Sequence, residues 1–245
     1  MKPIITRRPA FLRDSLKSGF TLMETVIAIL VLAILLSAFL TVFTPAAQGI
    51  KKSISTQQAD RLATTLVRDM ARLHLGENST HPTGFDKAFT WIKNGNDPEN
   101  AIFVYQYRAD RTSAPRADGT LEPMDTIDGK PGIDYIVQSV ARRADDNLLA
   151  ADLEALVGPV FYVKPTQLVM KNNQLVLGTP GQLINPDDDT VAANSNAYTD
   201  AVITFSATFH RVPSAAYTYL TGSAFEKKFN SESKPIFTRN LAVRR

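Results

Sequence analysis

The 245-residue sequence contains no cysteine, which excludes a disulfide scaffold, thiolate metal ligation and a cysteine nucleophile together. Its three histidines, His74, His81 and His210, are too dispersed for a zinc-binding spacing. There is no G-x-S-x-G elbow, phosphate-cradling glycine loop or dinucleotide fingerprint, so no familiar catalytic apparatus is visible. Long apolar runs are scarce as well: only one exists, where a multi-span membrane protein needs several. Hydrophobic residues are nonetheless 44% of the chain and charged ones 21%, proportions that exclude wholesale disorder.

Most of the chain also lacks any excess of one charge. The formal charge is +3, but the first nineteen residues hold Lys2, Arg7, Arg8, Arg13 and Lys17 against a single Asp14. The remainder carries 22 basic and 23 acidic residues, so the basic character belongs to the N-terminal leader. Beyond the leader, the compact basic pairs are Lys51-Lys52, Arg142-Arg143, Lys227-Lys228 and Arg244-Arg245. Separated pairs on a near-neutral body do not form a phosphate track, and no nucleic-acid partner is expected.

What the sequence does have is the run Phe20 to Phe43, apolar apart from Thr21, Glu24, Thr25, Ser37 and Thr41. As a helix these residues rise ~36 Å at ~1.5 Å each, enough for a hydrocarbon core of ~30 Å. With five positive charges on its N-terminal side, the run predicts a single span with the larger C-terminal part translocated. A cleaved secretory signal has a shorter apolar region of ~7 to 15 residues and a small-residue processing site. Thr44-Pro45-Ala46-Ala47 fits such a site imperfectly. A plain uncleaved anchor is the other simple reading. Neither accounts for Glu24, because a carboxylate at membrane depth costs at least ~2.5 kcal/mol and usually has a partner.

The residues around that acid, Gly19-Phe20-Thr21-Leu22-Met23-Glu24, resemble the processing site of bacterial type IV pilin-like proteins, the family of major and minor pilins and pseudopilins. The resemblance extends over residues 13 to about 75, with the basic leader, the apolar helix beginning at the cut and its amphipathic continuation. It implies that a prepilin peptidase cuts after Gly19 and methylates the new N-terminal Phe20. Glu24 then lies fifth in the mature chain and pairs with a Phe20 amine, its own or a neighbouring subunit's. A carboxylate can neutralise an amine within ~4 to 6 Å, and such a pair is better suited to fixing register than to adding stability. The implied partners are the peptidase, other pilin or pseudopilin subunits and inner-membrane lipid. The implied location is the bacterial inner membrane with the head in the periplasm, followed by a pilus or pseudopilus.

Pro45 lacks a backbone donor and Gly49 is costly in a helix interior, so the two mark a weak point that ends or kinks the apolar run. Beyond it, Ile50, Ile54, Leu62, Leu66, Met70 and Leu73 recur at helical spacing and predict an amphipathic helix packed on a sheet, with Gly76 as its C-cap. A simple coiled-coil dimer fits less well, because the repeat is short and its Gln57-Gln58 centre is polar.

The pattern then becomes strand-like at residues 101–107, 133–140, 160–163, 168–170, 175–177, 201–212 and 235–243, with one short helix at 146–157. Lys171-Asn172-Asn173 reads as a hairpin turn. Residues 76–100, 108–132 and 179–199 read as long polar loops. The expected organisation is a leader (1–19), a transmembrane and assembly helix (20–44), an amphipathic helix (45–75) and an α+β head (76–245) with the long helix on an antiparallel sheet. No cofactor is expected. Asp187, Asp188 and Asp189 are weak candidates for calcium, as are Asp125, Asp128 and Asp134, but neither set has the spacing of a helix-loop-helix calcium site. These readings point to a structural, non-enzymatic subunit of a type IV pilus or type II secretion-like filament. A body this large, without a disulfide-stapled loop, favours a minor pilin or pseudopilin over a major subunit. The alternative is a single-pass membrane-anchored binding domain or enzyme outside any filament.

Overall fold

The computed structural model describes residues 21–73, 80–124, 126 and 128–245. By internal contacts the chain divides after Ile50 into an N-terminal unit and a body, Lys51–Arg245. Helix α1, Leu22–Ala71, begins in the first and ends in the second. It does not end at Pro45, and the helix continues through Gly49.

Within the body, α1 buries Ala59, Leu62, Ala63, Leu66 and Met70, spaced so that one face meets the core. Two members of the predicted stripe depart from it. Ile50 and Ile54 are 62% and 51% exposed, although their spacing continues that of the buried residues. The helix also stops at Ala71 rather than residue 75, and the expected Gly76 cap lies outside the described residues.

Among the described residues, six antiparallel strands form the sheet: β1 Ile102–Asp110, β2 Tyr135–Arg143, β3 Phe161–Lys171, β4 Gln174–Leu177, β5 Val202–Arg211 and β6 Phe237–Arg244. Their order is β2-β1-β3-β5-β6, with β4 paired to the far end of β3. Alternation sends Ile102, Val104, Phe161 and Val163 into a core shared with α1 and with α2, Gly84–Asn94. Phe103, Tyr105, Tyr107 and Tyr162 enter a second core closed by α3, Leu149–Glu154, and α5, Ser223–Asn230. Burial on both faces explains why residues 101–107 read as a nearly unbroken apolar run. The expected α+β architecture is therefore present, with a second helical layer added.

Three expectations need correction. The segments 160–163 and 168–170 are one strand, because Pro165 stays in register opposite Ala207. β1 pairs with β3 only at residues 161–163, and the Asn96 amide donates to the Pro165 carbonyl. Since a residue's N and C=O point to the same side of a strand, the missing donor of Pro165 faces that open side and breaks no ladder bond. The supposed loop 76–100 contains α2, opened by a reciprocal capping box between Thr83 and Asp86 and closed by the Gly95 N–H on the Trp91 carbonyl. Residues 217–230 hold α4, Tyr217–Leu220, and α5, which the strand-oriented reading overlooked.

The predicted hairpin is present: Asn172 and Asn173 have φ of 51° and 60°, joining Lys171 to its partner Gln174. At the free edge of β2, the sheet is finished by side chains of α1 rather than by another strand among the described residues. The Asp69 carboxylate accepts the Ala141 N–H at 2.8 Å, and the Arg68 guanidinium donates to the Ser139 carbonyl at 2.9 Å. Further along, the Gly132 N–H donates to the Tyr135 carbonyl.

Candidate functional site

The N-terminal unit is described by what it leaves open. From Leu22 to Phe43 every residue of α1 is exposed, and the most apolar 18-residue window has a mean hydropathy of 3.0 with none of it buried. A soluble body cannot leave this much aliphatic surface in water at ~25 cal/mol per Å2, and the helix is long and apolar enough to cross a membrane.

Glu24 lies in the first turn of this helix, where a carboxylate interacts favourably with the helix dipole. Its N–H donates to the Thr21 hydroxyl at 3.3 Å, half of a capping box. The T-x-x-E spacing of Thr21 and Glu24 is the sequence signal for this cap. Gly19 and Phe20, the expected cleavage and methylation positions, lie outside the described residues. Further along, the hydroxyls of Ser37, Thr41 and Thr44 donate to the carbonyls of Ala33, Ser37 and Leu40, so these polar groups are satisfied within the apolar segment. Pro45 follows directly and supplies no N–H of its own.

Residues 14–40 match the family described as the prokaryotic N-terminal methylation motif. This chain carries a type IV prepilin signature. The signature covers residues before α1 and the first part of α1 and stops short of the body. It supports a type IV pilin-like protein and membrane anchoring through the apolar helix that it opens. It also points toward a structural subunit rather than an enzyme. No curated protein and no solved structure matches the chain.

The remaining sequence candidates sit in the body. Asp188 accepts from both the N–H and the hydroxyl of Thr190, which hold its carboxyl below the usual range. Asp187 and Asp189 are exposed beside it. Asp134 accepts the Lys130 N–H, Asp128 is exposed, and Asp125 lies outside the described residues. Among the described residues, no group of three or more His, Asp or Glu side chains is placed to hold a metal ion. His210 is buried and stacks on Tyr162 with ring centroids 4.8 Å apart, its nitrogens near the Ser233 and Thr208 hydroxyls. Burial, with Lys164 and Lys228 nearby, pushes it down to about 4, so it is a neutral core residue at pH 7. The terminal basic pair is divided: Arg245 donates to the Ser195 and Tyr198 carbonyls and covers the Phe85 ring, while Arg244 is exposed.

Sequence reasoning also missed a buried ionic network. Asp152, fully buried in α3, accepts from Arg142 and, at 2.7 Å, from Arg116, and takes the Tyr105 hydroxyl at 3.0 Å. Arg142 also reaches Asp118 at 2.9 Å and Asp146 at 3.1 Å, and Arg116 reaches Glu122 at 2.7 Å. Burial works to raise the Asp118 carboxyl, but Thr120 and Arg142 outweigh it and hold that carboxyl below the usual range. Burial and the Asp152 charge push the Tyr105 hydroxyl well above its ordinary value. Every charge in the network has an opposite partner, so it fastens the 111–124 segment to β2 and α3 instead of presenting a reactive group.

Proposed function

We propose that this chain is a structural subunit, a minor pilin or pseudopilin, of a type IV pilus or type II secretion-like filament. The observation that carries the reading is a prepilin signature opening directly into an exposed apolar segment of α1, residues 22–43, whose only charge is a first-turn carboxylate. In this reading a prepilin peptidase cuts after Gly19 and methylates Phe20. The mature helix stays in the inner membrane with the body in the periplasm, then passes into the filament. Packing of aliphatic side chains between neighbouring subunits gives the helix no preferred axial position. A pair between Glu24 and a neighbour's Phe20 amine supplies one, because only one register brings the charges together.

The N-terminus of protein extracted from its own membrane tests the first half of this reading. Mass spectrometry should find N-methylated Phe20; material beginning only at Met1 would refute it. The second half is tested by Glu24→Ala, which should be trimmed and inserted normally yet fail to enter filaments. Incorporation of that variant at the wild-type level would remove the register role.

A further inference from the structure

Between its apolar run and the first residue that the body buries, α1 has an uncovered neck. Ser55 is the first buried residue of the helix, and every residue from Gln48 to Ile54 is exposed. Lys51 and Lys52 stand in this neck and are the first charges after Glu24. No acidic residue occurs between Glu24 and Asp60, and neither lysine forms an ion pair among the described residues.

The distance between the charges matches a bilayer. From Glu24 to Lys51 the helix rises about 40 Å at ~1.5 Å per residue, and a bilayer with its headgroups measures about 40–45 Å. With Glu24 at one face of the membrane, Lys51 and Lys52 come level with the phosphates of the other. A lysine there lays its aliphatic stem along the helix and delivers its ammonium to the headgroup layer. Ile50 and Ile54, left bare by the body, meet acyl chains at the same level.

The arrangement around the helix selects the partner. Successive helical residues point about 100° apart, so Ile50 and Ile54 share one side while Lys51 and Lys52 point about 100° and 200° away from Ile50. A protein surface on one side meets the isoleucines or the lysines. A bilayer encircles the helix and meets both. We propose that the neck is a lipid-binding site, at which Lys51 and Lys52 hold the phosphates of anionic phospholipids in the leaflet nearer the body. Two unpaired cations complement those headgroups, and the neck continues directly from the apolar run. The contact fixes the depth of α1 in the membrane and is released when the helix leaves it. It deepens the proposed function by naming the lipid class that the membrane-held subunit engages, and rests on that reading only for the span.

Because the chain has no cysteine, a fluorophore on Ser53→Cys, an exposed position in the neck, reports this site alone. The labelled full-length protein, extracted from membranes, is reconstituted in phosphatidylcholine vesicles. Traces of phosphatidylglycerol or phosphatidylcholine bearing a nitroxide near the headgroup serve as quenchers. Phosphatidylglycerol should quench severalfold more than phosphatidylcholine. Lys51→Gln with Lys52→Gln, both at exposed positions, should bring the two lipids to equality, whereas Lys51→Arg with Lys52→Arg should keep the preference. Raising salt from about 0.1 M to about 1 M shortens the screening length from about 10 Å to about 3 Å and should reduce the preference severalfold. A nitroxide at the acyl-chain centre should quench less than one near the headgroup. Equal quenching by the two lipids, a preference that survives the double Gln variant, or stronger quenching from the chain centre overturns the proposal. So does a preference that changes with protein-to-lipid ratio, which would put a second copy on the neck. Loss of the preference when inorganic phosphate replaces chloride at equal ionic strength would make this a site for free anions and overturn it too. An N-terminus at Met1, or filament entry by Glu24→Ala, would count against the filament reading while leaving the lipid preference unchanged, so the two failures are distinguishable.

Discussion

The two ends of α1 use the same aliphatic residue types for opposite purposes. From Leu22 to Phe43 the side chains are exposed all round, whereas Leu62, Leu66 and Met70 are buried along one stripe. The first pattern has no inside of its own and must borrow one from lipid or from neighbouring helices. The second finds its inside on the sheet. Apolar content alone does not separate them; the distribution of polar residues around the helix does. Asp60, Arg61, Arg68 and Asp69 interrupt the body half, while Glu24 is the only charge in the first half.

This contrast can be broken experimentally, beginning with the body. Asp152→Ala strands Arg116 and Arg142 without their shared carboxylate and should cost about 3–5 kcal/mol. Denaturant unfolding of the detergent-solubilised protein, followed through the signal of Trp91 in α2, measures it. Leu66→Ala, in the buried stripe, should cost about 2–5 kcal/mol in the same measurement through lost burial and a residual cavity. A third effect depends on pH. His210 is held near 4 in the fold and titrates near 6.5 when unfolded, so between those values the unfolded chain binds the extra proton. Stability should be complete above about pH 6.5 and fall by about 1–2 kcal/mol as the pH drops toward 4, less than the full shift implies because solvent screens part of the ring. His210→Gln should flatten that dependence. The smallest effect belongs to the exposed half: Leu32→Ala should leave body unfolding unchanged within about 0.5 kcal/mol. A loss comparable to that of Leu66→Ala would mean that the first half also packs on its own body.

What was legible in the sequence was local. The span needs only a count of apolar residues, the hairpin needs two consecutive asparagines, and the methylation signature is a short contiguous stretch. The buried stripe was legible in period but not in extent, since Ile50 and Ile54 keep the spacing where no sheet lies beneath them. α2 was within reach, because Thr83 and Asp86 form a capping pair and Phe85, Ala88, Phe89 and Ile92 follow at helical intervals. The ionic network was not. Asp152 sits among alanines and leucines with nothing local to mark it, and Arg116 lies 36 residues away. The Asp69 contact to Ala141 spans 72 residues and has no sequence signature.

That last contact has a consequence for crowding. An unfinished sheet edge is a template for any loose strand nearby, and identical bodies packed side by side bring such strands to high local concentration. By occupying the Ala141 donor and the Ser139 acceptor with a carboxylate and a guanidinium, α1 denies that template to its neighbours. The long helix thus closes this stretch of the β2 edge to strand addition.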